Sequence, residues 1–346
     1  LLARIDALMA AGRLDEAQQL VDAAGVTDPE LFRRAFDIGL LTGQVDDDCE
    51  RLRDSPALSP TLPARVYCLA RLGDWSAAAL TLSLAREVGG ISPEQEMALA
   101  WFLDPPAFEG SPPPAPPEPL TTLDYVVREA VALPRPSHAL PLAFIVPDAS
   151  DDSPLKMRIT ARERLARDGA MAPARLFEAY RAGTPAASGG VWDRAKAVQT
   201  LDRAFALGDP AEITPALAEA DLMLSDVGLR PALARTYARQ LKAQQPGDYG
   251  AALRVEVGAL LMLAGEHTAA APWFPDSNDI TSRYLLALAS GATDLPDTPA
   301  LAPLKAAVSS GLTATEPPTE DALQISRLID RGFIGEGLLR ALALLE

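Results

Sequence analysis

The sequence predicts an all-α protein: an α-solenoid of antiparallel helix hairpins, interrupted by a proline-rich linker. Three observations predict it. Alanine and leucine dominate a chain with only 5% aromatic residues, and both are strong helix formers. Alternating Val/Ile/Thr runs, the mark of strands, are nearly missing. A phrase also recurs: GDWSAAAL from Gly73 is echoed by GEHTAAA from Gly265.

The phrase belongs to a series of junctions. Gly12, Gly43 and Gly73 lie 31 and 30 residues apart. Each is placed to end a helix, where a residue without Cβ adopts a left-handed turn cheaply. Two residues on stands a large apolar side chain, Leu14, Val45 or Trp75, expected to be buried where the hairpin closes. The small residues that follow, Ala17, Ala77 and Ala78, permit close helix approach. Gly208 and Gly265 repeat the junction in the second half. Asp28-Pro29-Glu30 and Ser92-Pro93-Glu94-Gln95 read as N-caps followed by proline at the first helical position.

Residues 1–103 therefore form an N-terminal helical block. Pro105 to Pro119 hold eight prolines in fifteen positions, so helix and sheet are both disfavoured there. Residues 104–120 read as a linker, with a polyproline ligand for a partner as the other reading. Residues 121–346 form a C-terminal helical block. In it, Leu123, Val126, Val127 and Ala130 make an apolar helix face, PLAFIVP interrupts the helices, and the last 26 residues, around Gly332, are expected to cap the array.

Chemistry is sparse. The two histidines, His138 and His267, are far apart, and no H-x-x-x-H or C-x-x-C spacing exists. There is no G-x-S-x-G elbow and no phosphate-binding glycine loop. Asp46, Asp47 and Asp48 lack a calcium loop's alternation and suit a helix N-terminus. No catalytic, cofactor or metal residue is assigned, and no cofactor is expected. A net charge of −16 argues against nucleic acid and anionic membrane surfaces. No apolar run approaches the ~20 residues of a membrane span.

The glycine junctions and following alanines resemble the tetratricopeptide family and its Sel1-like variants, whose repeat is about 34 residues. The resemblance covers roughly residues 1–103 and parts of 200–346. The period here is shorter, and the family's W-x₂-L-G-x₂-Y run and closing proline are not met in full. It implies a concave helical surface that binds other proteins. The helical part also resembles the superhelix of soluble lytic transglycosylases, but their catalytic Glu-Ser pair is missing.

Cys49 and Cys68 are the two cysteines. Cys49 stands early in one expected helix and Cys68 late in the next, on either side of a proline-rich turn. In a hairpin they fall at similar heights, within reach of a disulfide; the alternative is two buried thiols. The even count and a first residue other than methionine point to a removed signal peptide and an oxidising compartment, the periplasm. The sequence thus predicts a non-catalytic interaction scaffold in a bacterial envelope assembly of motor (flagellar, for example) or secretion type. A cell-wall-acting enzyme or its non-catalytic subunit, and a cytoplasmic regulator, are the alternatives.

Overall fold

Alanine- and leucine-rich segments separated by glycine and proline give helices joined by short turns. The computed structural model describes residues 1–274 apart from 27, 59–60, 136–139 and 185–188, together with 284, 287 and 298–302. Among these residues the regular structure is helical and no strand occurs. His138 and the expected C-terminal cap lie outside the described residues.

The chain divides into two compact units, Leu1–Met171 and Ala172 onward. The first contains α1 (Leu2–Ala10), α2 (Leu14–Ala24), α3 (Pro29–Thr42), α4 (Asp46–Asp54), α5 (Leu62–Arg71), α6 (Trp75–Glu87), α7 (Pro93–Leu103), α8 (Thr122–Ala130) and α9 (Leu155–Arg167). The second contains α10 (Pro173–Arg181), α11 (Val191–Leu207), α12 (Pro210–Ser225), α13 (Arg230–Lys242), α14 (Ala251–Leu263) and the short α15 (His267–Ala270).

Helix starts follow their caps. The Asp28 carboxylate accepts from the backbone N–H of Glu30 and Leu31, both at 3.0 Å, and Pro29 opens α3. Ser92 accepts from Gln95 N–H ahead of Pro93. Thr121 and Asp124 form a capping box at α8. Gly12, Gly43, Gly73, Gly208 and Gly265 all have φ between 72° and 88°. At Gly43, the left-handed residue ending α3, a side chain would be strained.

Helix α3 organises the first unit. Phe32, Phe36 and Leu40 join one core cluster with Tyr67, Leu99 and Leu123. Leu31, Ala35, Ile38 and Leu41 join another with Ile5, Leu14, Tyr125 and Leu165. A helix buried on both sides must satisfy any charge it carries. Arg34, buried in α3, donates Nε and Nη2 to Asp6 at 2.7 and 2.6 Å and Nη1 to Glu30. The PLAFIVP interruption forms a 3-10 turn, Leu142–Ile145, that packs on α1 and α9.

The division between units falls at Met171, not within residues 104–120. Helix α8, beyond the prolines, packs on α3, α5 and α7. Buried Arg128 donates to the carbonyls of Pro114, Ala115 and Pro134. Trp101 stacks on Phe108 at 5.3 Å between centroids. The proline segment is thus fastened to the first unit by carbonyls that no helix or sheet uses. The expected apolar face of α8 needs a matching correction: Asp124 and Arg128 are buried beside Leu123 and Val127, while Ala130 is exposed.

In the second unit α11 packs on α10 and α12, and α13 on α10 and α14. Phe177, Tyr180, Leu201, Leu233, Tyr237 and Leu261 are buried there.

Candidate functional site

Helix α6 reads WSAAALTLSLARE, with no charge from Trp75 to Ala85. Ala78, Leu82 and Ala85 face the core. Leu80 and Leu84, with Val88 directly after the helix, follow at i, i+4 and i+8 and so share another stripe. That stripe is open: Leu80 is 73% exposed, Leu84 53% and Val88 62%. The nearby hydroxyls do not make it polar. Thr81 donates to the Ala77 carbonyl at 2.7 Å and Ser83 to that of Ala79 at 3.1 Å, which leaves their carbon atoms to solvent.

Trp75 corrects an expectation. It is 51% exposed rather than buried, and its ring leans on Phe102 at 6.3 Å between centroids. Leu14 and Val45, at the matching places, are buried. The turn is similar in each case, and Trp75 stands on the same side of α6 as Ala78 and Leu82, three and seven residues on. At the first turn its larger ring meets Phe102 and is left half-exposed.

Beside α6 an apolar groove of about 260 Å³ opens between α4, α5 and α6. Its lining includes Leu52, Leu69, Leu72, Thr81 and Leu84. Cys49 and Cys68 also line it, and they are joined in the expected disulfide, with Cα atoms 4.9 Å apart. The bond holds the start of α4 against the end of α5. Further out, Arg71 donates Nε to Asp46 at 2.7 Å, and this bond holds the Asp46 carboxyl below its ordinary range. Asp46, Asp47 and Asp48 occupy the first turn of α4.

The charged residues lining the groove are Arg53 and Arg65. Arg65 donates Nη2 to the Pro56 carbonyl at 2.6 Å, and its Nε is buried without a hydrogen-bond partner. Arg53 donates Nε to its neighbour Asp54 at 3.0 Å in an exposed pair, and Glu50 one turn back also attracts it.

Two other cavities in the first unit carry charged side chains of both signs. One of about 440 Å³ is lined by Arg33, Asp37, Gln95 and Thr122, among others. Burial pushes the Asp37 carboxyl up to about 6, against the opposing pull of Arg33 and a hydrogen bond with Thr122. Another of about 590 Å³ is lined by Arg135, Asp148, Lys156 and Arg164. There Arg135 is held between Asp148 and Glu129, which raises its pKa. Arg33 pairs with Asp37 in the first and Arg135 with Asp148 in the second, while Arg164 donates to the Leu140 carbonyl.

Gly12, Gly43, Gly73, Gly208 and Gly265 stand at helix ends, apart from this groove. His267 begins α15, the place Trp75 takes in α6. Among the described residues no group of three or more His, Cys, Asp or Glu is arranged to hold a metal ion, and no helix is long and apolar enough to cross a membrane. The leucine stripe was open to sequence reasoning through its i, i+4, i+8 spacing and its uncharged run. The arginine rim was not, because Arg53 and Arg65 come together only when α4 and α5 pack. No family model, curated protein or solved structure matches the chain.

Proposed function

We propose that this chain is a non-catalytic protein-interaction scaffold, built as a solenoid of antiparallel, tetratricopeptide-like helix hairpins. The observation that carries the reading is α6, which is apolar on its core side and again on the exposed stripe of Leu80, Leu84 and Val88. A contiguous apolar surface next to a groove costs solubility unless a partner covers it. Helical surfaces of this kind receive helices or peptides through apolar anchors. The disulfide supports work in an oxidising compartment. With the acidic charge, this favours a periplasmic part of a larger envelope assembly, of motor or secretion type.

The test is affinity purification from the native cell with quantitative mass spectrometry, comparing the natural chain with Leu80→Glu/Leu84→Glu. Both positions are exposed, so the variant should keep its helical circular dichroism. Partners retained by the natural chain and lost by the variant are the expected result. Identical partner sets would remove α6 as the working surface and, with it, the argument for a scaffold.

A further inference from the structure

The chemistry of the groove beside α6 narrows what it binds. At about 260 Å³ it falls below the ~300–1,000 Å³ of ordinary small-molecule pockets. It is also continuous with the exposed stripe, because Leu84 belongs to both. A shallow apolar trough running into a leucine ridge suits a few side chains inserted from one helix face, at i, i+3 or i+4, and i+7.

Charge then selects among helices. The chain carries 47 acidic and 31 basic residues, yet the charged residues lining this groove are both arginines. At physiological ionic strength the Debye length is about 8 Å, so carboxylates elsewhere on the surface are largely screened from a segment bound here. Neither is locked into a strong internal ion pair. Arg53 faces two exposed carboxylates of its own helix, Asp54 and Glu50, an arrangement worth little. Arg65 is held by a neutral carbonyl and keeps a buried Nε without a partner. A carboxylate brought alongside would gain charge-assisted hydrogen bonds that the free protein lacks.

We infer that the groove between α4, α5 and α6 is the docking site for an acidic amphipathic helix of a partner protein. Its apolar face enters between Leu52, Leu69, Leu72 and Leu84, and its Asp or Glu side chains meet Arg53 and Arg65. The inference rests on the scaffold reading and adds the chemistry of the partner.

A yeast-displayed library of random 18-residue peptides tests it. The library is sorted for binding to the disulfide-intact protein and counter-sorted against Leu84→Glu. The expected winners carry apolar residues at helical spacing and an excess of Asp and Glu over Lys and Arg. A winner made as a free peptide should bind the natural chain at least tenfold more tightly than Arg53→Glu/Arg65→Glu. Its affinity should fall as salt rises from 0.05 to 0.5 M. Thr81→Glu, which also lines the groove from α6, serves as the second variant if Leu84→Glu loses its circular dichroism. Winners without acidic bias, winners indifferent to the arginine changes, or no winners at all would overturn the inference. So would a dimer in analytical ultracentrifugation that Leu84→Glu dissociates, since a second copy would then be the occupant. If cellular partners are still lost on changing α6 while the library shows no acidic preference, the scaffold reading stands and this inference falls.

Discussion

Cys49 and Cys68, nineteen residues apart in the chain, are bonded with their Cα atoms 4.9 Å apart. Both are nearly inaccessible to solvent. The bond closes a short loop, so replacing both residues with alanine should cost about 3 kcal/mol, the loop-closure value for this length. Urea unfolding with and without reductant measures it. The nearby Arg71–Asp46 pair is exposed, so Arg71→Ala should change stability by less than ~1 kcal/mol. Alkylation without reductant, followed by intact-mass measurement, should find no free thiol in protein from its native compartment. Two alkylated cysteines there would argue against the bond and the oxidising compartment together.

Two carboxylates, the half-buried Asp37 and the buried Asp48, give the stability an unusual pH dependence. Burial pushes Asp37 up to about 6, and it does the same to Asp48. The ordinary value is 3.8, so the fold favours the protonated form of both. Their contribution is fully present below pH ~4 and is lost as pH rises through 6. Asp37→Asn should therefore stabilise the protein at pH 7.5, by about 1 kcal/mol after allowing for the lost attraction to Arg33. At pH 4 the variant and the natural chain should differ little. Melting temperatures across pH 4 to 8 check this; an Asp37→Asn variant that is less stable at pH 7.5 would show that ionised Asp37 holds α3 to α8.

Much of the fold was legible in the sequence because its signals are local. The caps at Asp28 and Ser92 and the glycine turns depend on two or three neighbouring residues. The cysteine pairing was legible from matched heights about one turn. What was hidden depends on partners far along the chain. Arg128 fastens the proline segment through carbonyls thirteen and fourteen residues away, so a stretch that reads as a linker lies within one unit. Trp75 shares a junction pattern with Leu14 and the same helix side as Ala78 and Leu82, but its exposure depends on how much of its larger ring distant helices cover. The arginine rim needs two helices to be packed before it exists.

Gly258 is another such hidden feature. It lies within α14, where Gly→Ala would ordinarily stabilise a helix by about 1 kcal/mol. A Cβ added there would stand 2.3 Å from Cζ of Phe274, whose ring is buried. Gly258→Ala should instead destabilise by about 1–3 kcal/mol, as overpacking does. Combining it with Phe274→Leu should recover part of the loss, because the second change removes the ring that clashes. Chemical denaturation of the single and double variants gives the coupling; additive losses would mean that the ring and the helix do not touch.

In the second unit Tyr237 donates its hydroxyl hydrogen to Asp202 at 2.7 Å. Arg181 grips the same carboxylate with Nε at 2.7 Å and Nη2 at 3.0 Å. Burial, together with the Asp202 bond, pushes the Tyr237 phenol above its ordinary range. The tyrosine ring is fully buried and stacks on Phe205, so Tyr237→Phe keeps the packing and deletes one hydrogen bond to a charged group. The expected loss is about 1.5–3 kcal/mol. Asp202→Ala should cost more, because it leaves both the buried hydroxyl and the guanidinium without their acceptor. The double variant Tyr237→Phe/Asp202→Ala should then be less damaged than the two losses summed, since the first change removes the hydroxyl that the second would strand. Strict additivity in a double-mutant cycle would show that Asp202 serves Arg181 alone and that Tyr237 is held by its ring.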